Sequence, residues 1–150
     1  MRLIIQRVPK ASVSVDQQIT GKIEKGLLIL LGVEEADTLE DVNWLAKKVA
    51  NMRIFADEEG KMNLSLNAVN GAALVVSQFT LHASTKKGNR PSFIKSANPE
   101  HAESLYLNFI EQLKNEAVQQ VETGIFGAHM EIELINDGPV TIFMDSQNRE

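Results

Sequence analysis

The chain of 150 residues contains no cysteine. This absence excludes disulfide bonds, thiolate zinc sites and cysteine nucleophiles, and it is typical of proteins in a reducing cytosol. Aromatic residues are scarce at 5%, so Val, Ile, Leu and Ala must supply most of the core. No apolar run approaches the roughly 20 residues that cross a bilayer, and the first residues do not resemble a signal peptide. We therefore expect a cytoplasmic protein without a membrane segment.

The net charge of −5 argues against a broad nucleic-acid-binding surface, which is usually basic. It remains compatible with recognition of a single terminal nucleotide, because such an interaction contacts few phosphates. Basic residues cluster once, at Lys86, Lys87 and Arg90. A cluster of this kind is either a solvated loop or a phosphate-binding segment, and the composition alone leaves both interpretations open.

Metal-binding patterns are missing. The three histidines, His82, His101 and His129, lie far apart and have no neighbours at metal-ligand spacing. His101 falls in the first turn of a predicted helix and is expected to face solvent. Glycine-rich phosphate-binding loops are also absent from the sequence. We expect neither a metal nor a cofactor.

Strands dominate the first half of the chain. Residues 11–15 alternate with period two, 16–18 have the composition of a hairpin turn, and 19–24 form the returning strand. Residues 26–33 are continuously apolar between glycines, which predicts a strand covered on both faces. Residues 72–76 form a further buried strand.

Two amphipathic helices are predicted. Thr38 and Asp41 form a capping box for a helix that ends near Asn51, and Asn98 caps a second helix with Pro99 at its first position. The order of elements indicates a single α+β domain over residues 1–150, with largely antiparallel sheet. The polar residues 145–150 are expected to be frayed.

The most informative segment directly follows the buried strand 72–76. There the chain becomes polar at Ser77, Gln78, Phe79 and Thr80, which places hydroxyls, an amide and backbone N–H groups at a sheet end. A serine-hydrolase triad is disfavoured because a glycine elbow is missing and His82 lies at an odd offset from Ser77. Two interpretations remain open, namely a strand end whose hydroxyls bond locally and an oxyanion-stabilising pocket for an activated ester.

Five short segments, taken in order, resemble the D-aminoacyl-tRNA deacylase family over nearly the whole chain. They read Gln-Arg-Val with Ala-Ser-Val (6–8 and 11–13), Arg-Ile-Phe with Gly-Lys-Met-Asn (53–55 and 60–63), Ser-Gln-Phe-Thr-Leu (77–81), Arg-Pro-Ser-Phe (90–93) and Asn-Asp-Gly-Pro-Val-Thr (136–141). The polar tail after Asp145 looks longer than is usual in that family.

The resemblance implies a cytoplasmic homodimer with a compact β-barrel-like core and two flanking helices. Such an enzyme cleaves the ester between a D-amino acid, or mischarged glycine, and the 3′-terminal adenosine of tRNA. By position, Gly138 and Pro139, joined by a cis peptide bond, enter the pocket of the partner subunit and exclude L side chains by a clash. Arg7 is expected to brace this element across the dimer.

Further roles follow from the resemblance and from the chemistry of ester hydrolysis. The backbone N–H groups of Phe79 and Thr80 are candidate oxyanion donors, and we favour Thr80 as a polar organiser over a nucleophile because no base is visible beside it. Gln78 tunes the pocket, while Phe79 and Met130 are candidates to flank the terminal adenine.

Lys86, Lys87 and Arg90 are the candidate tRNA phosphate contacts. Two other functions stay open: a related enzyme in which the Gly138-Pro139 bond is trans and which edits L-alanyl- or glycyl-tRNA, and a non-catalytic module that binds the tRNA acceptor end.

Overall fold

The computed structural model describes all residues from 1 to 150. Ten strands and two helices follow one another along the chain: β1 (Arg2–Val8), β2 (Ala11–Val15), β3 (Gln18–Ile23), β4 (Gly26–Gly32), α1 (Leu39–Asn51), β5 (Phe55–Ala56), β6 (Met62–Leu64), β7 (Ala72–Ser77), α2 (Pro99–Asn115), β8 (Val121–Thr123), β9 (Glu131–Leu134) and β10 (Thr141–Asp145). The predicted α+β class with two helices is confirmed.

The strands form separate sheets of five, three and two strands. The large sheet has the order β10-β1-β4-β7-β8, the second has the order β3-β2-β9, and β5 pairs with β6. Because the sheets do not join, there is no closed barrel, and the expected β-barrel-like core is wrong. The expectation of largely antiparallel pairing also needs correction, since β4–β7 and β7–β8 are parallel. Helical crossovers through α1 and α2 connect these parallel strands, as parallel pairing requires.

The central strands of the large sheet are apolar on both faces, because each face packs against a different layer. In β4, Leu27 and Ile29 pack in the larger core cluster, which includes residues of both helices. Leu28, between them, packs on the opposite face with Val13 and Ile23 of the three-stranded sheet. The continuously apolar run in β4 is therefore covered on both faces, as predicted, and the domain has three layers.

Both helices begin where their capping residues place them. The Thr38 backbone N–H donates to the Asp41 carboxylate at 2.8 Å, and this bond is half of the predicted capping box. Asn98 accepts a hydrogen bond from the backbone N–H of His101 at 3.0 Å, with Pro99 in the first turn. His101 is half-buried, with Nε2 3.1 Å from the Asp37 carbonyl oxygen, so it faces solvent only in part.

The chain end is held by specific contacts, in contrast to the expected fraying, although residues 147–150 are exposed. Ser146 is only 4% exposed, and its backbone carbonyl accepts a hydrogen bond from Arg149 Nε at 3.0 Å. The Arg149 guanidinium lies 4.8 Å from the centroid of the Trp44 ring and 3.1 Å from the Glu40 carboxylate. Polar residues at the end of the chain therefore find partners on the first turns of α1.

Tyr106 anchors α2 to the strand that leads into the polar segment. Its hydroxyl donates to the Val75 carbonyl oxygen at 2.9 Å, and its ring packs 5.6 Å from the ring of Phe126, measured between centroids. Burial raises the pKa of the Tyr106 phenol to about 12 from 10.0. The folded state therefore favours the neutral phenol, because the charged form would lose its hydration.

We predict that Tyr106, the one tyrosine of the chain, ionises near pH 12 in the folded protein. Because its pKa is raised in the folded state, its contribution to stability is complete below pH 10 and is lost as the pH rises from 10 to about 12. Absorbance at 295 nm, recorded with circular dichroism at each pH, measures this step. An ionisation at pH 10 in a protein that still has native dichroism would contradict the prediction, and the urea-unfolded chain provides the reference curve.

Candidate active site

A cavity of about 500 Å³ opens beside the end of β7. Its floor is apolar and includes Leu31, Val33 and Val76 of the two central strands. Three chain segments form its walls, with these residues: Ser77–Phe79, then Ser96, Ala97, Pro99 and Ala102, then Phe126–Met130 and Ile132. An apolar floor with polar groups on one wall is typical of sites that bind small organic groups.

The polar wall exists because β7 stops pairing at Ser77. The last register pair is Leu31 with Ser77, and the Gln78 backbone N–H then donates to the Leu31 carbonyl at 2.7 Å. A single 3₁₀ turn, Phe79–His82, follows directly. The turn is held at its far end by Arg2, whose Nη1 donates to the Leu81 carbonyl at 3.0 Å.

The predicted catalytic residues lie together at this turn. Ser77, Gln78 and Phe79 line the cavity, whereas Thr80 is exposed beside it and is not part of the lining. The Gln78 side-chain amide donates to the Thr80 hydroxyl. Met130 also lines the cavity, in the segment 126–132, and its contact with a bound base stays a prediction.

Two backbone donors are free at the turn. The N–H groups of Phe79 and Thr80 have no acceptor among the hydrogen bonds of the chain, because the first residues of a helical turn have no intrahelical partner. Ser96 Oγ donates to the Phe79 carbonyl at 3.0 Å and fixes the orientation of that peptide. Free, fixed N–H donors can stabilise negative charge on a tetrahedral oxygen.

No serine-histidine pair is assembled. His82 is 1% exposed, and neither ring nitrogen has a hydrogen-bond partner. Its nearest charged group is the Glu34 carboxylate, 3.7 Å from Nδ1, and no hydrogen bond connects it to Ser77. The Ser-His-Asp triad, which the sequence already disfavoured, is therefore not supported by the geometry. No three His, Asp or Glu residues come together as a metal site.

Gly138 and Pro139 lie outside the cavity of their own chain. Their peptide bond is cis, and both residues are exposed in the loop between β9 and β10. The Asn136 side-chain oxygen accepts from the Val140 backbone N–H at 3.1 Å. Gly138 has φ +125°, and a Cβ atom there would lie 2.9 Å from Val140 Cγ2, so only glycine fits.

Arg7 fastens this loop within its own chain. Its backbone N–H donates to the Val140 carbonyl at 3.1 Å, and its backbone carbonyl accepts from Asp137 at 2.8 Å. The guanidinium lies 3.1 Å from the Asp137 carboxylate and donates to the Ile54 carbonyl at 2.6 Å. A Cβ at Gly138 would be 3.0 Å from Arg7 Nη2. The structure therefore brings Arg7 and the Gly-Pro loop together, apart from the cavity.

The basic residues Lys86, Lys87 and Arg90 are exposed and form no ion pair. They lie in the long segment between the 3₁₀ turn and α2, where Ser84 and Ser92 pair in a short bridge. None of them lines the cavity. They remain candidates for contacts outside it.

Sequence reasoning missed two residues that shape the site. Gly32 ends β4, and a Cβ there would lie 2.8 Å from the Gln78 carbonyl oxygen and 3.0 Å from Leu81 Cβ. Ser96 holds the Phe79 carbonyl from a distant segment. Gly32, which bounds the apolar run at 26–33, could have indicated that another part of the backbone approaches closely there, but no local pattern marks Ser96.

Comparison with known proteins identifies a family, related sequences and a similar solved structure. Residues 4–145 match the family described as D-Tyr-tRNA(Tyr) deacylase. The chain is 62% identical to the D-aminoacyl-tRNA deacylase of Akkermansia muciniphila and 59% identical to that of Flavobacterium johnsoniae, each over 150 residues that cover 100% of both chains. A solved structure described as c-Myc DNA unwinding element binding protein matches with a TM-score of 0.91 at 39% identity, over 97% of this chain and 98% of that one.

The chain belongs to the D-Tyr-tRNA(Tyr) deacylase family, and the predicted resemblance is confirmed. The family match ends at Asp145, whereas the two bacterial relatives align with all 150 residues and so share the tail after it. No helix has the length and apolar character needed to span a membrane.

We predict that Gly32→Ala lowers the rate of D-tyrosyl-tRNA hydrolysis by about 10- to 100-fold, because the added methyl group displaces the turn that carries Phe79 and Thr80. Single-turnover hydrolysis of labelled D-tyrosyl-tRNA measures the effect. Gly60→Ala is the control for an added methyl group away from the cavity, since a Cβ there meets no atom within 4 Å; its φ of +78°, unlike the backbone of Gly32, adds local strain, which thermal unfolding of both variants measures. Equal rates for Gly32→Ala and wild type would show that the turn does not need this close approach.

Proposed function

We propose that the protein hydrolyses the ester between a D-amino acid, or mischarged glycine, and the 3′-terminal adenosine of tRNA. The single observation that carries this proposal is the cavity walled by Ser77–Phe79, with two free backbone N–H donors, in a chain of the deacylase family. The terminal nucleoside enters the cavity, with Met130 and Phe79 beside the adenine. The reaction takes place in the cytoplasm, where charged tRNA is used.

Substrate-assisted hydrolysis fits this site best. An aminoacyl ester of ribose is already activated, and its neighbouring 2′-hydroxyl can stabilise the leaving oxygen. The protein has to hold the ester carbonyl and a water in position, while the N–H groups of Phe79 and Thr80 receive the developing oxyanion. No titratable side chain forms a hydrogen bond with the Thr80 hydroxyl, which accepts from Gln78. Thr80 therefore acts as a polar organiser, because nothing beside it can remove its proton.

The chiral selection requires a second subunit. Gly138 and Pro139 are exposed and lie outside their own cavity, so in our proposal they enter the cavity of the partner in a homodimer. Their backbone leaves room for hydrogen or a D substituent on the α-carbon and clashes with an L side chain. Arg7 supports this role by fastening the loop at its base.

The surface next to the Gly-Pro loop supports a homodimer. β10 is an edge strand of the large sheet, with unpaired backbone groups along its outer side. Phe143 on β10 and Ile135 before the loop are large, apolar and exposed. Exposed apolar residues along an edge strand are a common basis for association. Lys86, Lys87 and Arg90 then remain available for tRNA phosphates.

We predict that the wild-type protein hydrolyses D-tyrosyl-tRNA more than about 100-fold faster than L-tyrosyl-tRNA. Thr80→Val should retain turnover at about one tenth of the wild-type rate, because the organising contact with Gln78 is lost but no nucleophile is removed. Hydrolysis of both labelled esters under the same conditions measures this, with Thr85→Val on the exposed segment as the matched control.

Other outcomes identify the alternatives. A trapped acyl-enzyme in the wild type together with complete loss in Thr80→Val would establish a nucleophile. Preferred hydrolysis of L-alanyl-tRNA would indicate the related editing enzyme. Tight tRNA binding without any hydrolysis would indicate a non-catalytic module.

We predict that a heterodimer of Gly32→Ala and Gly138→Ala protomers recovers about half of the wild-type activity, although each mutant homodimer is impaired. One substitution damages the cavity wall and the other the Gly-Pro loop. If the site is shared between subunits, the heterodimer contains one intact site and one doubly damaged site. Two different affinity tags allow purification of the heterodimer, whose mass is checked by light scattering.

The same experiment can overturn the shared site. If each Gly-Pro loop serves its own chain, both sites of the heterodimer carry one damaged element and no activity returns. A mass in light scattering that corresponds only to the monomer would also rule out a site shared between subunits.

A further inference from the structure

Two phenylalanine rings lie next to each other at the mouth of the cavity, and only one of them has a role in the proposed chemistry. We define the aromatic step as Phe79 and Phe93, whose ring centroids lie 5.1 Å apart at an interplanar angle of 69°. Phe79 is 57% exposed and lines the cavity, whereas Phe93 is 37% exposed and does not. Phe93 therefore extends the aromatic surface from the cavity outward over the protein.

The aromatic step is surrounded by positive charge. The segment 83–97 contains four of the 15 lysine and arginine residues of the chain and none of its 20 acidic residues. These four are Lys86, Lys87, Arg90 and Lys95, and all are exposed without an ion-pair partner. In a chain with net charge −5, this concentration marks one segment that attracts an anionic partner.

A second copy of the chain is a poor partner for this surface. A two-fold contact through the segment 83–97 would bring like charges together without acidic residues from the same segment to compensate. The exposed apolar edge strand β10 is separated from β7, which leads into the step, by β1 and β4. In the proposed dimer the Gly-Pro loop of the partner enters the cavity, and we take Phe93, which does not line the cavity, to stay accessible at its mouth.

We propose that Phe93 stacks on the base of the penultimate nucleotide of the tRNA acceptor end, while neighbouring basic side chains contact its phosphate. This inference rests on the proposed function, because it takes the terminal nucleoside to occupy the cavity. The next base along the strand then leaves at the mouth, where Phe93 adjoins Phe79. Aromatic rings combined with basic side chains are the usual means of binding single-stranded nucleic acid.

The consequence is a two-nucleotide recognition site with separate tasks. The cavity holds the reacting nucleoside and its ester, and Phe93 contributes affinity without contact to the reacting atoms. Stacking of one base on an aromatic ring is sequence-tolerant, since every base has a π-face. Phe93 would therefore bind the acceptor ends of many tRNAs with similar affinity.

The test compares three D-tyrosyl esters: charged tRNA, the cytidylyl-adenosine dinucleotide and adenosine alone. Phe93→Ala should raise KM about 10-fold for the tRNA and the dinucleotide, with kcat unchanged, and should leave adenosine ester hydrolysis unaffected. Phe93→Tyr should restore wild-type KM, whereas Phe93→Leu, which keeps the apolar volume but lacks a π-face, should not. Ile94→Ala is the control, because Ile94 is 92% exposed and has no ring.

Equal losses on all three esters would overturn the proposal, because Phe93 would then act on the cavity through Phe79. Unchanged KM for every ester, or full activity in Phe93→Leu, would also overturn it. Thermal unfolding of each variant checks that the fold is kept.

A binding measurement separates this inference from the proposed function. An uncharged RNA hairpin with 2-aminopurine at the penultimate position should lose fluorescence on binding to wild type and to Phe93→Tyr, but not to Phe93→Ala. Quenching without any ester hydrolysis would support the stacking site and refute the deacylase activity. Hydrolysis of D-tyrosyl-tRNA without quenching would support the deacylase activity and refute the stacking site.

Discussion

The geometry of the site depends on where the parallel pairing of β4 and β7 stops. The two strands pair from Gly26 with Ala72 to Leu31 with Ser77, and β7 then turns sharply instead of continuing. The turn lies directly on Gly32, which has no side chain to hold it away. As a result the Phe79 and Thr80 N–H groups are presented without acceptors at the end of a rigid sheet. A preorganised donor pair of this kind needs no reorganisation when charge develops on a substrate oxygen.

The two polar signatures of the chain are held by different means and face different places. The first is a strand end, positioned by sheet pairing and by Ser96. The second is the Gly138–Pro139 loop, fastened by Arg7 and by the side chain of Asn136. Within one chain they do not meet, since neither Gly138 nor Pro139 lines the cavity. This separation is the physical argument for the shared site that we propose, in which each chain supplies a cavity and a loop.

Local chemistry in the sequence was a good guide wherever one short segment decides the outcome. Thr38 with Asp41, and Asn98 with Pro99, marked the helix starts because a cap is decided by residues within one turn. The glycine-bounded apolar run 26–33 predicted a strand covered on both faces, because this pattern also lies within one short segment. The expectation of a β-barrel-like core failed because sheet closure depends on long-range pairing, and here two crossovers made parallel pairs that left three separate sheets. The tail from Asp145 was misjudged because Trp44 and Glu40, its partners, are about a hundred residues away in sequence.

The amino-acid sequence by itself determined the family, the capped helices, the buried strands and the residue types of the polar segments, since these follow from local periodicity and short motifs. Only the tertiary structure decided that Gly32 leaves room for the turn and that Ser96 fixes the Phe79 peptide. It also decided that Arg7 fastens the Gly-Pro loop within its own chain and that His82 makes no contact with Ser77. Each of these is a contact between groups that are distant in sequence or on different elements. Packing of the whole chain sets such distances, and no local pattern contains them.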